Sequence, residues 1–518
     1  MPLPVNGTAW PPKELAPIRT QQDVWDAWYV GTPDRLTAAY RTAQRDDRAS
    51  TTRRAQYSGG VVGSLARFWW GRPDTGLAQR RDQTHVPIAA DLCRASADLL
   101  YAEPPVVTTD SDDEATKNRL GEYVDDALAT TLAAGAELGA ALGGRYHRVT
   151  WDAQLTDRPF LTTVDADAAW PEFRWGRLVA ATFWHVVARS GATVWRHLER
   201  HELDAQGFGL VFHALYEGTG DNLGRVVPLT EHPATAALAD LVAADGALAA
   251  GRTPGLCVAY VPNQTPQRRW RDHPVGRSLG RSDLDGVEGL MDNLDETWSS
   301  LMRDIRLAKA RLIVPGEYLR DNGPGKGASF DLDAEVYEAV HAPLGDVDSS
   351  GLAVTAQQFA IRVDEHLRTA DSLVSRIIQS AGYAGATFGE DGGDGGAMTA
   401  TEVHARERAS FQTRDRKIRL ERPAVQQLMG KMLSIDASVF GTALDTSAHV
   451  TVAFPDSVQD SVLTLAQTAQ TLDAGRAAST EVKVQLVHPD WGKEQVDEEV
   501  ARIVAEQAVA SPDVVPTF

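Results

Sequence analysis

The 518-residue sequence predicts a helix-rich α+β protein. Three observations carry that prediction. Apolar residues recur every three or four positions through two long stretches, 284–312 and 359–377, on either side of a Gly- and Pro-rich insertion. Short alternating runs cluster between residues 160 and 216, strands grouped together and not interleaved with helices. A glycine-rich acidic stretch, Tyr383–Met398, ends at a capping-box sequence that opens a further helix.

Composition narrows the function classes. Lys and Arg number 51 against 71 Asp and Glu, a formal charge of −20, with 43% apolar and 24% charged residues. These fractions exclude a disordered polymer and a membrane-embedded bundle, and leave a soluble chain able to bury sizeable cores. The acidic balance argues against a surface that wraps nucleic acid throughout, while a local basic stripe remains open. Cys93 and Cys257 are too few for a disulfide framework and lack metal-ligand spacing, so they read as buried small hydrophobes. The N-terminus lacks the basic-then-apolar layout of a signal peptide. The most apolar stretches, 127–144 and 234–250, carry Glu137 and then Asp240 and Asp245, so no membrane span is expected.

In chain order, the first thirty residues are Pro-rich and then aromatic (Trp25, Trp28, Tyr29). A second aromatic cluster, Phe68-Trp69-Trp70, runs into the turn-like Gly71-Arg72-Pro73. The spacing predicts a helix over Ile88–Leu100, stopped by Pro104-Pro105, and an alanine-rich helix over Leu120–Leu142, ended by Gly143-Gly144. Val179–Val187, Val194–Leu198 and Leu210–Tyr216 read as strands. After a Pro/Arg-rich joint, Pro262–Gly280, a helix capped by Ser282 is expected to run to Pro315, with Leu294, Trp298, Leu301 and Ile305 along its apolar seam. About thirty residues at 1.5 Å each make a helix of ~45 Å. Pro315 to Thr355 reads as a small loop-and-strand insertion, and a second amphipathic helix (Phe359, Val363, Leu367, Ile377) ends at Gly382.

Tyr383–Met398 holds six glycines and three acids with no base, so it is expected to be mobile and coreless. Thr399 and Glu402 then satisfy each other's backbone donors at the start of a helix running to about Phe440, kinked at Pro423. Between Thr399 and Lys431 there are eight bases against four acids, a local +4. A strand at His449–Phe454, helices at Val458–Leu472 and Gln495–Ala508, and a frayed tail, Ser511–Phe518, complete the chain.

The motifs that would carry catalysis fail on context. Gly276-Arg277-Ser278-Leu279-Gly280 has the spacing of a nucleophile elbow, but that elbow needs a strand running directly into it, and Leu256–Val261 lies fifteen residues upstream. His197 and His201 lack the zincin register and, with Glu199, suit a surface ladder on a strand. Asp110–Glu114 offers Ala115 where a calcium loop requires glycine, and Gly323–Gly327 lacks the Ser/Thr that follows the lysine of a phosphate loop. The expectation is a non-enzyme without metal or cofactor. Serine hydrolysis at Ser278 stays as the alternative.

The order of elements resembles bacteriophage portal proteins, specifically those of phages with long non-contractile tails. The likeness is carried by HVPIAADLCRASADLLYAEPPVV (85–107), GRSDLDGVEGLMDNLDETWSSLMRDIRLAKARLIVP (280–315), IIQSAGYA (377–384) and MTATEVHARERASFQTRDRKI (398–418). The resemblance implies a ring of twelve subunits at one capsid vertex; another virion structural protein, such as an adaptor, is the alternative within that class. It implies a wing over 1–281 and 399–455, a stem made of helices 282–315 and 357–382, a clip over 316–356, a tunnel loop over 383–398 and a short crown over 456–518.

Carried over by position, Phe388, Glu390, Asp391, Gly392, Gly393 and Asp394 would face DNA. Thr399, Glu402, Arg406, Arg408, Arg414, Arg416 and Pro423 would belong to a kinked basic helix, its arginines pairing with neighbouring subunits or lying near DNA. Tyr318, Lys326 and Asp333 would meet partners at the clip. The implied partners are double-stranded DNA in the lumen, the major capsid protein, the terminase motor and a head-to-tail adaptor, with no membrane.

Overall fold

A computed structural model of the chain describes residues 3–38, 84–125, 127–153, 155–242, 247–248, 254–307, 311–313, 320–321, 328–329, 355–357, 362–389, 406–455, 462–488 and 491–510. In chain order the elements are α1 (Ala16–Val30), α2 (Ile88–Leu100), β1 (Val106–Thr109), α3 (Glu114–Asp125), α4 (Leu128–Leu142), β2 (Gly144–Thr150), β3 (Phe160–Asp165), β4 (Ala169–Arg174), β5 (Arg177–Ser190), β6 (Thr193–Leu203), β7 (Gly209–Gly218), β8 (Arg225–Val227), β9 (Ala247–Leu248) and β10 (Val258–Pro262). They continue with α5 (Glu288–Leu307), β11 (Arg311–Ile313), β12 (Arg320–Asp321), β13 (Ala328–Ser329), β14 (Thr355–Gln357), α6 (Val363–Ala381), α7 (Arg408–Ile435), β15 (Val450–Ala453), α8 (Val462–Ala474), α9 (Thr480–Val487) and α10 (Lys493–Ala510). The chain forms two compact units, Met1–Tyr29 with Ala89–Asp285 and Ile378–Phe518, and Val30–Ile88 with Gly286–Ile377.

The first unit is layered. A six-stranded antiparallel sheet, β4-β5-β6-β7-β8 with β9 added to β7, is the α+β region foreseen from the alternating runs. One face buries Leu198, Ala214 and Tyr216 against Trp10, whose ring meets Trp170 and Trp184 edge-on at 5.9 and 5.2 Å. The other face packs Ala181 and Phe183 against Tyr146 and Val258 of a three-stranded sheet, β10-β2-β3. Beyond that smaller sheet lie α3, α4 and α7, whose Leu132, Leu428, Met429 and Met432 form an extended core with Val149, Leu161 and Val261. Each such side chain contributes about 1.5–3 kcal/mol on burial. Helix α4 can lie this close to β3 because position 135 is glycine; a Cβ there would sit 2.7 Å from Thr163 Cγ2.

The second unit contains α5 and the first part of α6, joined by His366 Nε2 to Asp304 Oδ2 at 3.2 Å. Residues 84–86 run along α5: Asp295 takes His85 Nδ1 and Val86 N–H, both at 2.8 Å, and Ser299 Oγ accepts Thr84 N–H at 2.8 Å. Two strand pairs, β11–β14 and β12–β13, occupy the insertion between the helices. Leu294 and Leu301 are buried, Trp298 is half-buried and Ile305 is exposed.

Several boundaries differ from the periodicity. The alanine-rich segment is two helices, α3 and α4, because Ala127 takes a φ of +55°, which stops one helix and redirects the next. Helix α5 begins at Glu288, not Ser282, so it is shorter, about 30 Å. Ser282 instead accepts Leu284 N–H at 3.0 Å and donates to Ala141 O at 2.5 Å, and Gly286 at a φ of +92° separates that turn from the helix. Leu284 and Val287 fitted a helical spacing only because both are buried in the turn. At the far end, Arg311–Ile313 is strand, in keeping with its β-branched, pre-proline sequence. Helix α9, capped by Ser479, was not foreseen.

Candidate functional site

Within the first unit, residues from four separate chain segments make a buried polar cluster. Asp283, the last turn before α5, is buried, and both its carboxylate oxygens are used. Oδ1 accepts from Asn263 Nδ2 at 2.8 Å and Gln264 Nε2 at 2.6 Å. Oδ2 accepts from Lys417 Nζ at 2.7 Å and from the Tyr383 hydroxyl at 2.8 Å. Lys417 also donates to Ser96 Oγ of α2 at 2.5 Å. The chain before α5, the chain after α6, and helices α2 and α7 therefore meet at one ammonium–carboxylate pair. Burial pushes the Lys417 ammonium down from its ordinary range, against the pull of Asp283. Burial next to Asp283 drives the Tyr383 phenol far up.

One turn further along α7, Glu421 is fully buried and gathers Arg145, His147 and Tyr101. His147 Nε2 and the Tyr101 hydroxyl both lie 2.7 Å from its Oε1. Burial alone would raise this carboxyl; the Arg145 and His147 charges outweigh it and hold Glu421 at about 2. Spacing of four residues places Lys417 and Glu421 on one stripe of α7. Arg414, three residues before Lys417, joins that stripe. It is 6% exposed and donates to the backbone oxygens of Leu99 and Pro455.

The same root holds both ends of the segment that leads into and out of residues 390–405. Gly382, at a φ of +98°, ends α6, and its carbonyl accepts Thr413 Oγ1 at 2.6 Å. Ser410 Oγ accepts Ala384 N–H at 2.9 Å and lies 2.8 Å from Thr387 Oγ1. Phe388 is half-buried on a single 3-10 turn, Gly385–Phe388, its ring edge-on to Tyr383 at 6.3 Å.

Some sequence expectations change here. The start of the glycine-rich stretch is not coreless, since Tyr383 is 2% exposed. Arg414 is buried within its own chain, where its Nε and Nη2 donate to the carbonyls of Leu99 and Pro455. Arg406, Arg408 and Arg416 are exposed, and Pro423 lies inside α7 on its solvent side. Glu390, Asp391, Gly392, Gly393, Asp394, Thr399 and Glu402 lie outside the described residues, as do Tyr318, Lys326 and Asp333. Sequence reasoning missed Lys417 and Asp283 as a pair; the only signal was a lysine in register with buried apolar positions of a basic helix.

The catalytic alternatives lose their geometry. Ser278 sits on a short 3-10 turn, Gly276–Ser278, with no strand entering it. The nearby His273 accepts Gly276 N–H at 2.9 Å on Nδ1, while its Nε2 faces Glu14 O at 2.9 Å. His197, Glu199 and His201 form no surface ladder: both imidazoles are buried on β6, in the sheet's face toward β2. His197 Nε2 lies 3.1 Å from His213 Nδ1, His201 Nε2 lies 2.6 Å from Glu199, and Arg148 pairs with Glu199. Among the described residues no group of three or more His, Cys, Asp or Glu is arranged to hold a metal, and no helix is long and apolar enough to cross a membrane.

The family model for phage portal proteins, SPP1 Gp6-like, matches residues 34–513. No curated protein matches the chain. Among solved structures, it is similar to a chain of the virion of a native gene transfer agent particle, at 14% identity, covering 86% of this chain and 98% of that one with a TM-score of 0.38. It is also similar to a chain in the neck of an empty gene transfer agent particle computed with C6 symmetry, at 15% identity, covering 82% and 99% with a TM-score of 0.40. With a family match running over most of its length, the chain belongs to the SPP1 Gp6-like family of phage portal proteins.

Proposed function

We propose that the chain is one subunit of a twelve-membered portal ring at a single capsid vertex, through which double-stranded DNA enters during packaging and leaves during ejection. The observation that carries the reading is the family match over residues 34–513. In this reading the sheets of the first unit and α7 are the wing, α5 and α6 the stem, 316–356 the clip, 383–398 the tunnel loop and 456–518 a short crown. The cluster at Asp283, Tyr383 and Lys417 fits such a division, because it ties the residue that precedes the stem segment in sequence and the start of the tunnel loop to one helix.

Charge agrees with a conduit. Twelve copies at −20 give 12 × −20 = −240, so the wall as a whole repels phosphate. A moving duplex needs weak contacts, since each phosphate pair strengthens binding and slows transport. Glu390, Asp391 and Asp394, set among glycines, would line the narrowest part without gripping. Arg406, Arg408 and Arg416 would pair with acids of adjacent subunits. Chemical energy would come from the terminase motor docked at the clip, which later gives way to the head-to-tail adaptor, while the wing contacts the major capsid protein. Native mass measurement and negative-stain imaging of the purified protein test this. Rings with a central hole support it, and a compact monomer at high concentration contradicts it.

A further inference from the structure

The hairpin between β4 and β5 turns through Trp175-Gly176, both at positive φ, +53° and +76°. Turns of this type favour Asn-Gly; a bulky aromatic at the first position is conformationally disfavoured. Trp175 is also 95% exposed, so folding of one copy gains nothing from it. Arg174 and Arg177 flank it, exposed, with no partner among the described residues. The tip is firmly held: Phe173 packs edge-on to Tyr260 of β10 at 5.8 Å, and Glu172 pairs with Arg200 at 2.5 Å. A rigid, basic, tryptophan-tipped knob has the composition of an interface hot spot.

The same unit carries an open hollow. A groove of about 510 Å³ is lined by Thr131 of α4, by Leu155 and by Phe160, Leu161 and Thr163 of β3. Leu155 is 72% exposed. Asp157 and Glu122, joined through Arg119, stand in the adjoining loop and helix as solvent-facing carboxylates. A tryptophan docking there would bury about 150–250 Å². The knob leans on β10 and the hollow lies on β3, the two opposite edges of the β10-β2-β3 sheet. Two unlike patches at opposite edges are what a head-to-tail contact requires. Symmetric pairing of two knobs would instead crowd four guanidinium groups together.

We infer that the Trp175 hairpin of one copy docks into the β3 groove of the next, with Arg174 and Arg177 facing the carboxylates beside it. The inference rests on the portal reading for the presence of neighbouring copies. Its test uses full-length assembled protein carrying Trp175→Cys and Leu155→Cys together, joined by a short bismaleimide, which tolerates more separation than a disulfide. The native Cys93 and Cys257 are buried and do not compete. The expected result is a ladder of covalent oligomers from the double variant and none from either single variant. Rings of normal mass without a ladder overturn this contact and leave the portal reading standing, as does a covalent dimer from Trp175→Cys alone. Unsubstituted protein that never assembles overturns both. As a second readout, Trp175→Ser is expected to keep the circular dichroism and melting temperature of the free chain while weakening self-association by about tenfold or more; unchanged association contradicts the inference.

Discussion

Lys417 Nζ and the Tyr383 hydroxyl share a single oxygen, Oδ2 of Asp283, at 2.7 and 2.8 Å. Asp283 immediately precedes the chain's departure into α5, and Tyr383 follows its return through α6. A charge pair taken out of water is stable only when its remaining hydrogen-bonding capacity is filled. Asn263, Gln264 and Ser96 supply that here.

Lys417→Met leaves a buried carboxylate without its cation and is expected to cost roughly 3–5 kcal/mol. Adding Asp283→Asn should recover part of the loss, giving a coupling of about 1 kcal/mol or more in a double-mutant cycle. Urea unfolding followed by tryptophan fluorescence measures it. Additive losses would show that the pair is not coupled.

Glu421 governs the acid limb. Its folded value of about 2 lies below the ordinary 4.5, so its contribution is complete above pH 4.5 and disappears as pH falls toward 2. The shift corresponds to on the order of 3 kcal/mol. Glu421→Gln should lower stability at neutral pH and flatten the curve between pH 4.5 and 2. An unchanged acid limb would contradict the assignment.

The buried imidazoles of the six-stranded sheet act in a window that begins at higher pH. Burial and each other's proximity hold His197 at about 3, and burial holds His213 at about 4 despite Glu199 nearby. His185, His201 and Arg148 face the same pair. Both values lie below the ordinary 6.5, so the unfolded chain binds protons first. Stability is then full above pH 6.5 and declines as pH falls toward about 3. His197→Gln should flatten the part of this slope above pH 4.5, where Glu421 does not contribute, as pH-dependent melting would reveal.

Along α5, Leu294 is fully buried and Ile305 is 43% exposed. Leu294→Ala is expected to destabilise the isolated chain by about 2–5 kcal/mol. Ile305→Asp should leave that stability within about 0.5 kcal/mol, as surface changes do, and instead impair assembly if the stem seam continues into a neighbour. Equal melting losses for the two variants would contradict this division.

The strongly periodic parts of this fold were legible in the sequence. Ile88–Leu100 has the expected limits, and β5, β6 and β7 contain the alternating runs that foretold them. What misled was burial without helix: Leu284 and Val287 keep a helical spacing while lying in a turn. Nothing local distinguishes an αL alanine at 127 from its helical neighbours, so the break between α3 and α4 was invisible. Ser479-Thr480-Glu481 was a readable cap for α9 and was overlooked. The polar cluster was least legible, because Ser96, Asp283, Tyr383 and Lys417 are scattered over more than 300 residues. Arg414 shows the converse: counted among solvent-facing bases, it points inward to two backbone carbonyls.

The central claim is that copies of this chain surround a hole wide enough for a duplex. Electron cryo-microscopy of the purified full-length protein, classified without imposed symmetry, addresses it most directly. Closed rings with an axial opening are expected, with the loop over 383–398 nearest the axis. Particles without an opening, or with that segment on the outer rim, would contradict it.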